Sequence, residues 1–226
     1  HEYGIDERDL AQMAVLMRTH AQRHPGAQFR APIDVAAVLD SRPIASPLKL
    51  LDCCPVSDGG AAFVVSRDAG NGRGVRIRGA AQSHSHQHVS AAPTLTEFGA
   101  GVSSADALGA AKMQIADIDY AAIYDSFTIT LTVLLEEIGL APRGQAGAMA
   151  ADGYFSSDGE LPMNTHGGLL SYGHCGVGGA MAHLVEAQLQ LSGRAGARQA
   201  GAPGTALLHC DGGVLSSHVS LVLEAA

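Results

Sequence analysis

The sequence predicts an α/β domain in which helices cover a mixed β-sheet. Two observations carry this. From Val75 onward the apolar spacing alternates between period two and period 3.6, in the order strand, helix, strand, helix, loop, helix, strand, strand. That order, closed by two neighbouring strands, makes the sheet mixed. The composition, 46% apolar and 16% charged, supplies a core large enough to bury such a sheet.

The elements follow in order. Asp6 is an N-cap with Asp9 three residues on, and Leu10, Met13, Ala14 and Met17 share one helical face. Pro25-Gly26 ends this helix. Asp34 caps a short helix to Leu39, and Ser41 to Pro47 is a proline-set connection. After the turn-rich segment 52–60, Ala61 to Ser66 reads as a short buried strand and Asp68 to Gly74 as a loop and the domain boundary. Val75 to Gly79 alternates as a half-exposed strand does. His84, His86 and His88 alternate too; they read either as a polar loop or as a metal-binding face, with no carboxylate or Cys nearby in sequence to complete a site. Ser104 is placed to cap a helix bearing Leu108, Ala111 and Ile115, which Asp117-Ile118-Asp119 breaks. Tyr120 to Tyr124 is a strand, and Ser126 caps a helix with the stripe Leu131, Leu134, Leu135 and Ile138. Arg143 to Gly168 is a long loop of the kind that carries function. Gly179 to Leu191 is a largely buried helix, and Thr205–Cys210 and Ser216–Leu223 are strands around an Asp-Gly-Gly turn.

Charge and cysteine usage narrow the function classes. A formal net charge of −8 excludes a phosphate-backbone binder, which needs a basic face. No apolar run reaches the length that spans a bilayer. Cys53, Cys54, Cys175 and Cys210 form no C-x-x-C pair, which points to buried thiols in a reducing, cytoplasmic setting. The chain opens on His1 and enters a helix almost at once, as a processed or truncated product does.

The stretch Leu169 to Gly179 concentrates the chemistry. His174 stands on a glycine-rich turn that opens onto an apolar helix, whose free N–H groups and positive dipole end favour a neutral, accepting imidazole. Around it, four motifs occur in a telling order: Ser57-Asp58-Gly59-Gly60-Ala61-Ala62; Asp117-Ile118-Asp119; Asn164-x-x-Gly167-Gly168 followed by Gly173-His174; and His209-Cys210-Asp211-Gly212-Gly213. Each alone is weak, but their order and spacing resemble the thiolase superfamily over nearly the whole chain. Tyr124-Asp125-Ser126-Phe127 is similar to the sterol-carrier-protein-type branch and to the thiolase-like lyases of steroid side-chain degradation.

The resemblance implies a layered fold with a mixed five-stranded sheet flanked by helices. Residues 1–68 would be the loop region and last strand of the N-terminal half, and 69–226 the C-terminal domain. It implies acyl-CoA thioesters as substrates, no covalently bound cofactor, no metal and a homodimer. The nucleophilic Cys of such enzymes would come from outside this chain, with His174 as its base. Cys210 would be the proton-shuttling thiol, and Tyr124 an oxyanion donor or general acid. Asn164, His166, Gly168 and Ser126 would line the substrate site. Each has a plain structural alternative: His174 bonding a backbone group, Tyr124 packing at a strand end, Cys210 in the core, Ser126 as an N-cap. Departures from the family pattern are Tyr and Ser in place of its His and Cys at positions 124 and 126, and Cys175 in place of its proline. The leading expectation is Claisen-type acyl transfer on acyl-CoA. Its alternatives are a retro-aldol lyase acting on a 3-hydroxyacyl-CoA with a small zinc-bearing OB-fold partner, and an acyl-CoA-binding protein without activity.

Overall fold

The computed structural model describes residues 2–67 and 74–226. Residues 68–73, most of the segment 68–74 expected to be a loop and the domain boundary, lie outside the described residues, as does His1. Helix α1 (Glu7–Ala21) begins in a capping box: Asp6 accepts from the Arg8 and Asp9 amides while the Asp9 carboxylate accepts from the Asp6 amide. Helix α2 (Val35–Leu39) is capped by Asp34. The proline connection forms a two-stranded ribbon, β1 (Pro43–Ala45) and β2 (Leu48–Lys49).

The main sheet contains β3 (Val75–Ser83), β4 (Tyr120–Ile123), β5 (Thr205–Gly212) and β6 (Ser217–Ala225). Their order is β3-β6-β5-β4, with β4 parallel to β5 and the other pairs antiparallel. The sheet is thus mixed, with four strands among the described residues. The expected strand at Ala61–Ser66 is exposed and unladdered, with Val64 97% accessible. A strand is held by its neighbour's hydrogen bonds, and none of the four strands lies beside this segment.

Side-chain alternation divides the sheet's contacts. Ala121, Ile123 and Leu207 join one core with α3 (Ala100–Ala111), α4 (Thr128–Ile138) and α1. Tyr120, Ala122, Leu208 and Leu223 pack on the other face against Ala187 and Leu191 of α6 (Ala180–Leu191). Helix α3 is capped at Gly99, five residues earlier than its sequence indicates. Ser104 therefore lies inside it, buried, with its hydroxyl 3.0 Å from Ser220 Oγ, and Ile115 falls in a separate turn. Helix α4 is entered from Phe127 with no side-chain cap, so Ser126 is not the N-cap. The long loop contains α5 (Ala146–Ala151), invisible as an amphipathic pattern because Gly147 and its alanines simply allow close approach to α1; a Cβ on Gly147 would overlap Asp9. No helix is long and apolar enough to cross a membrane among the described residues.

Candidate active site

Strand β4 ends at Ile123, and the next residue, Tyr124, is fixed by its amide donating to the His209 carbonyl of β5 at 3.0 Å. The second wall is the turn that the sequence singled out. Gly168–Tyr172 winds as a π-helical turn, and Gly173 follows at φ 139°, a left-handed-side conformation that glycine permits. A Cβ there would crowd Gln28 Nε2 and Ser57 Oγ, each at 2.9 Å. His174 is then clamped by its own backbone: its amide donates to Pro55 O and its carbonyl accepts from the Ser57 amide. The Ser-Asp-Gly-Gly segment thus braces the histidine turn.

The two walls meet at the rings. Tyr124 Oη lies 2.7 Å from His174 Nε2, and the Gly176 amide donates to His174 Nδ1 at 3.1 Å. Because Nδ1 accepts a hydrogen bond, the neutral ring carries its proton on Nε2. His174 therefore donates to the phenol oxygen, which leaves the phenol's own proton for a different acceptor, with Ser126 also within its reach. The glycine turn does make His174 an acceptor, but through Nδ1 and not through the nitrogen that faces the site.

Electrostatics around the phenol keep it protonated. Burial pushes the Tyr124 hydroxyl above its ordinary range, with the charges of Asp211 and Cys54 adding to this and a hydrogen bond with Ser126 opposing it. Asp211 is itself lifted to about 7 by burial, against the stabilising amides of Leu215 and Gly212. The Leu215 amide donates to its Oδ1 at 2.8 Å. Burial lifts the Cys54 thiol to about 11, with Asp125 contributing.

The remaining expected residues take varied places. Asn164 is fully buried, and both ends of its amide are engaged by one residue: Oδ1 accepts from the Ile123 amide and Nδ2 donates to the Ile123 carbonyl. It clamps β4 in register, so its buried amide serves the strand. Gly168, at φ 59°, is required by packing: a Cβ would overlap Asp125 Oδ2. Cys210 packs with the apolar cluster beneath α6, and burial lifts its thiol to about 12, an environment that disfavours a proton-shuttling thiolate. Ser126 lies by Tyr124, its carbonyl accepting from the Cys54 amide. His166 is buried without a hydrogen-bond partner among the described residues, and burial holds its imidazole well below the usual range. It lines a cavity of about 280 Å³ shared with His24, Ser57, Tyr172, Met181 and Val185, behind the Gly173–Cys175 turn. His166 stacks edge-on against His183, at 5.0 Å between centroids. The His84-to-His88 segment is a polar loop, and among the described residues no group of three His, Cys, Asp or Glu is placed to hold a metal ion.

Sequence reasoning missed Asp125, His183 and Asp211. Two stood inside quoted motifs, one residue beyond Tyr124 and one beyond Cys210. His183 was legible only as a polar residue on an otherwise apolar helix face.

Comparison with known proteins bears on the fold and the family. The family model described as "Thiolase C-terminal domain-like" matches residues 81–225. An acetyl-CoA acetyltransferase of Methanothermobacter thermautotrophicus is 33% identical over 219 residues, 94% of this chain and 57% of that protein. A steroid side-chain-cleaving aldolase of Thermomonospora curvata is 38% identical over 182 residues, 75% of this chain and 46% of that protein. The chain spans about half the length of these curated relatives. The solved structure of an Ltp2-ChsH2(DUF35) aldolase superposes with a TM-score of 0.87 at 31% identity, covering 100% of this chain and 60% of its counterpart. The chain belongs to the thiolase family, its residues 81–225 matching the C-terminal domain-like model.

Proposed function

We propose that this chain is the C-terminal part, residues 69–226 with the connecting segment 1–68, of an enzyme that cleaves a carbon–carbon bond in a 3-hydroxyacyl-CoA by retro-aldol chemistry. The observation that carries this is the Tyr124–His174 pair, with the ring proton held on Nε2 by the Gly176 amide. A base that activates a thiol needs a free accepting nitrogen, and neither nitrogen of His174 offers one. A phenol backed by an N–H donor suits a different task. It gives its proton, or a hydrogen bond, to an oxygen that gains negative charge, as in the enolate of a thioester.

The proton balance is simple. As the Cα–Cβ bond breaks, the 3-hydroxyl loses a proton and becomes the carbonyl of one product. The electron pair moves into the thioester enolate, and Cα gains a proton to give the shortened acyl-CoA. One proton is moved and one oxyanion stabilised. Tyr124 is the oxyanion donor, and Asp211, poised at about 7, is the group suited to take and return the proton near neutrality. Support also comes from the relatives whose names are aldolases. The solved aldolase pairs with a DUF35 chain, and we infer a small partner of that kind here. A cytoplasmic homodimer fits the free cysteines and the family.

Acyl transfer is the second reading, favoured by the relative named acetyl-CoA acetyltransferase. It calls for a nucleophilic Cys from outside residues 1–226 and for His174 in its other tautomer. The full-length protein, assayed with its partner against a 3-hydroxyacyl-CoA and against a 3-oxoacyl-CoA plus CoA, separates the two. Carbonyl product and shortened acyl-CoA from the first substrate alone support the aldolase reading. Thiolysis of the second alone overturns it.

A further inference from the structure

Asp125 has no role in the chemistry above, yet it is fully buried and sits where three elements meet. It directly follows Tyr124. Its Oδ1 accepts from the Leu169 amide at 2.7 Å and its Oδ2 from the Leu170 amide at 3.4 Å, both in the π-helical turn that leads to Gly173 and His174. Its third neighbour is His183 of α6, whose Nε2 lies 3.1 Å from Oδ1 at ion-pair distance, without the alignment of a hydrogen bond; both side chains are inaccessible to solvent. The fit leaves no slack, since any side chain at Gly168 would overlap the carboxylate. The His183 ring in turn stands 6.4 Å from the Tyr124 ring, tilted by 55°.

A buried carboxylate is costly unless donors surround it. Here two amides donate to one carboxylate and an imidazole packs at ion-pair distance from it, and each comes from an element that also bears on the site. The turn carries His174, α6 starts six residues after it, and the peptide that carries Asp125 also carries Tyr124. We propose that Asp125, held by His183, is the positioning residue of this site: it ties the Tyr124 strand end to the His174 turn and so fixes the 2.7 Å approach of the two rings. This rests on the reading of Tyr124 and His174 as the reacting pair.

The test uses Asp125→Asn and His183→Gln in the full-length protein with its partner. Asn is isosteric with Asp but loses one acceptor, and Gln keeps a donor for Asp125 at a different reach. Two readouts are taken: the split between kcat and KM, and the long-range ¹H–¹⁵N spectrum of the His174 ring, which reports the Nε2–H tautomer without any turnover. The expected result for Asp125→Asn is a kcat reduced about 100-fold, the scale of a roughly 1 Å misplacement of reacting groups, with KM changed less than about threefold. The Nε2–H signature of His174 is lost or mixed in the same variant. His183→Gln shows the same direction at smaller size. Wild-type kcat and a wild-type His174 spectrum in either folded variant overturn the proposal, as does a loss confined to KM. If Asp125→Asn does not fold, His183→Gln decides alone. If Tyr124→Phe leaves kcat unchanged, the reacting pair is wrong, and the His174 spectrum still decides whether Asp125 positions the turn.

Discussion

Tyr124 and His174, 50 residues apart in sequence, meet through a 2.7 Å hydrogen bond in which the imidazole is the donor. The direction matters more than the distance. It converts a histidine that sequence alone reads as a thiol's base into the support of a phenol. It also predicts a graded response to substitution. His174→Gln keeps an N–H donor for the phenol and should retain activity well above His174→Ala, whose kcat should fall about 100-fold or more, the usual cost of removing an oxyanion-site donor. Equal and complete loss in both variants, measured by steady-state kinetics, would favour the base role.

With Asp211 as the proposed proton acceptor, its titration should set the pH dependence of the rate. Burial lifts its carboxyl to about 7 and its charge is felt at Tyr124. As a proton acceptor it works when ionised, so kcat/KM for the 3-hydroxyacyl-CoA should rise with pH through about 7. Asp211→Asn should remove that limb and lower the plateau. A pH–rate profile unchanged in the variant contradicts the assignment.

Stability should show a separate acid limb. His209 is buried in β5, with Nδ1 2.9 Å from Ser220 Oγ and Nε2 3.2 Å from His218 Nδ1, and burial holds it at about 3; His20 is held at about 4 for the same reason. Both bind a proton more readily in the unfolded chain, so their folded pKa values are depressed. Their contribution is whole above the ordinary imidazole pKa of about 6.5 and is lost as pH falls toward 4 and then 3. Thermal unfolding of the protein followed from pH 7.5 to 4 should show Tm falling across this window. A flat Tm over it would contradict the buried, neutral state of these rings.

Glu186 of helix α6 forms a largely buried ion pair with Arg198, which follows the helix. Glu186 accepts from Arg198 Nε and Nη2 and from Thr165 Oγ1, with Gln190 completing the network. Removing one partner leaves the other charge buried, so Arg198→Ala should cost about 3–5 kcal/mol in urea unfolding. A double replacement of Glu186 and Arg198 by apolar residues should cost less. A loss under about 1 kcal/mol for Arg198→Ala, the scale of an exposed pair, would show that the network is solvated.

Much of this architecture is written in local sequence. Asp6 and Asp34 cap their helices as read, Leu131, Leu134 and Leu135 form the buried stripe of α4, and the closing hairpin pairs as its turn indicates. What local reading loses is decided by distant partners. Gly147 marks no helix until Asp9 lies against it, and Ser104 resembles a cap until Ser220 claims its hydroxyl inside the fold. Val64 and Val65 read as buried strand because the pattern is silent about the neighbour a strand needs. In the site, His174 and Tyr124 are visible as residue types. The donor direction is not, because it hangs on one backbone amide, that of Gly176. Asp125 is invisible for the same kind of reason: its partners are the amides of Leu169 and Leu170, which any residue would supply.

On the proposed reading the Tyr124 hydroxyl, and not an imidazole base, drives the carbon–carbon step. The most direct test is product formation from a 3-hydroxyacyl-CoA by the full-length protein with its partner, wild type against Tyr124→Phe. The account predicts carbonyl product and shortened acyl-CoA from the wild type, and a kcat about 100-fold to 1,000-fold lower in the variant at unchanged fold and similar KM. Wild-type turnover by Tyr124→Phe would contradict it.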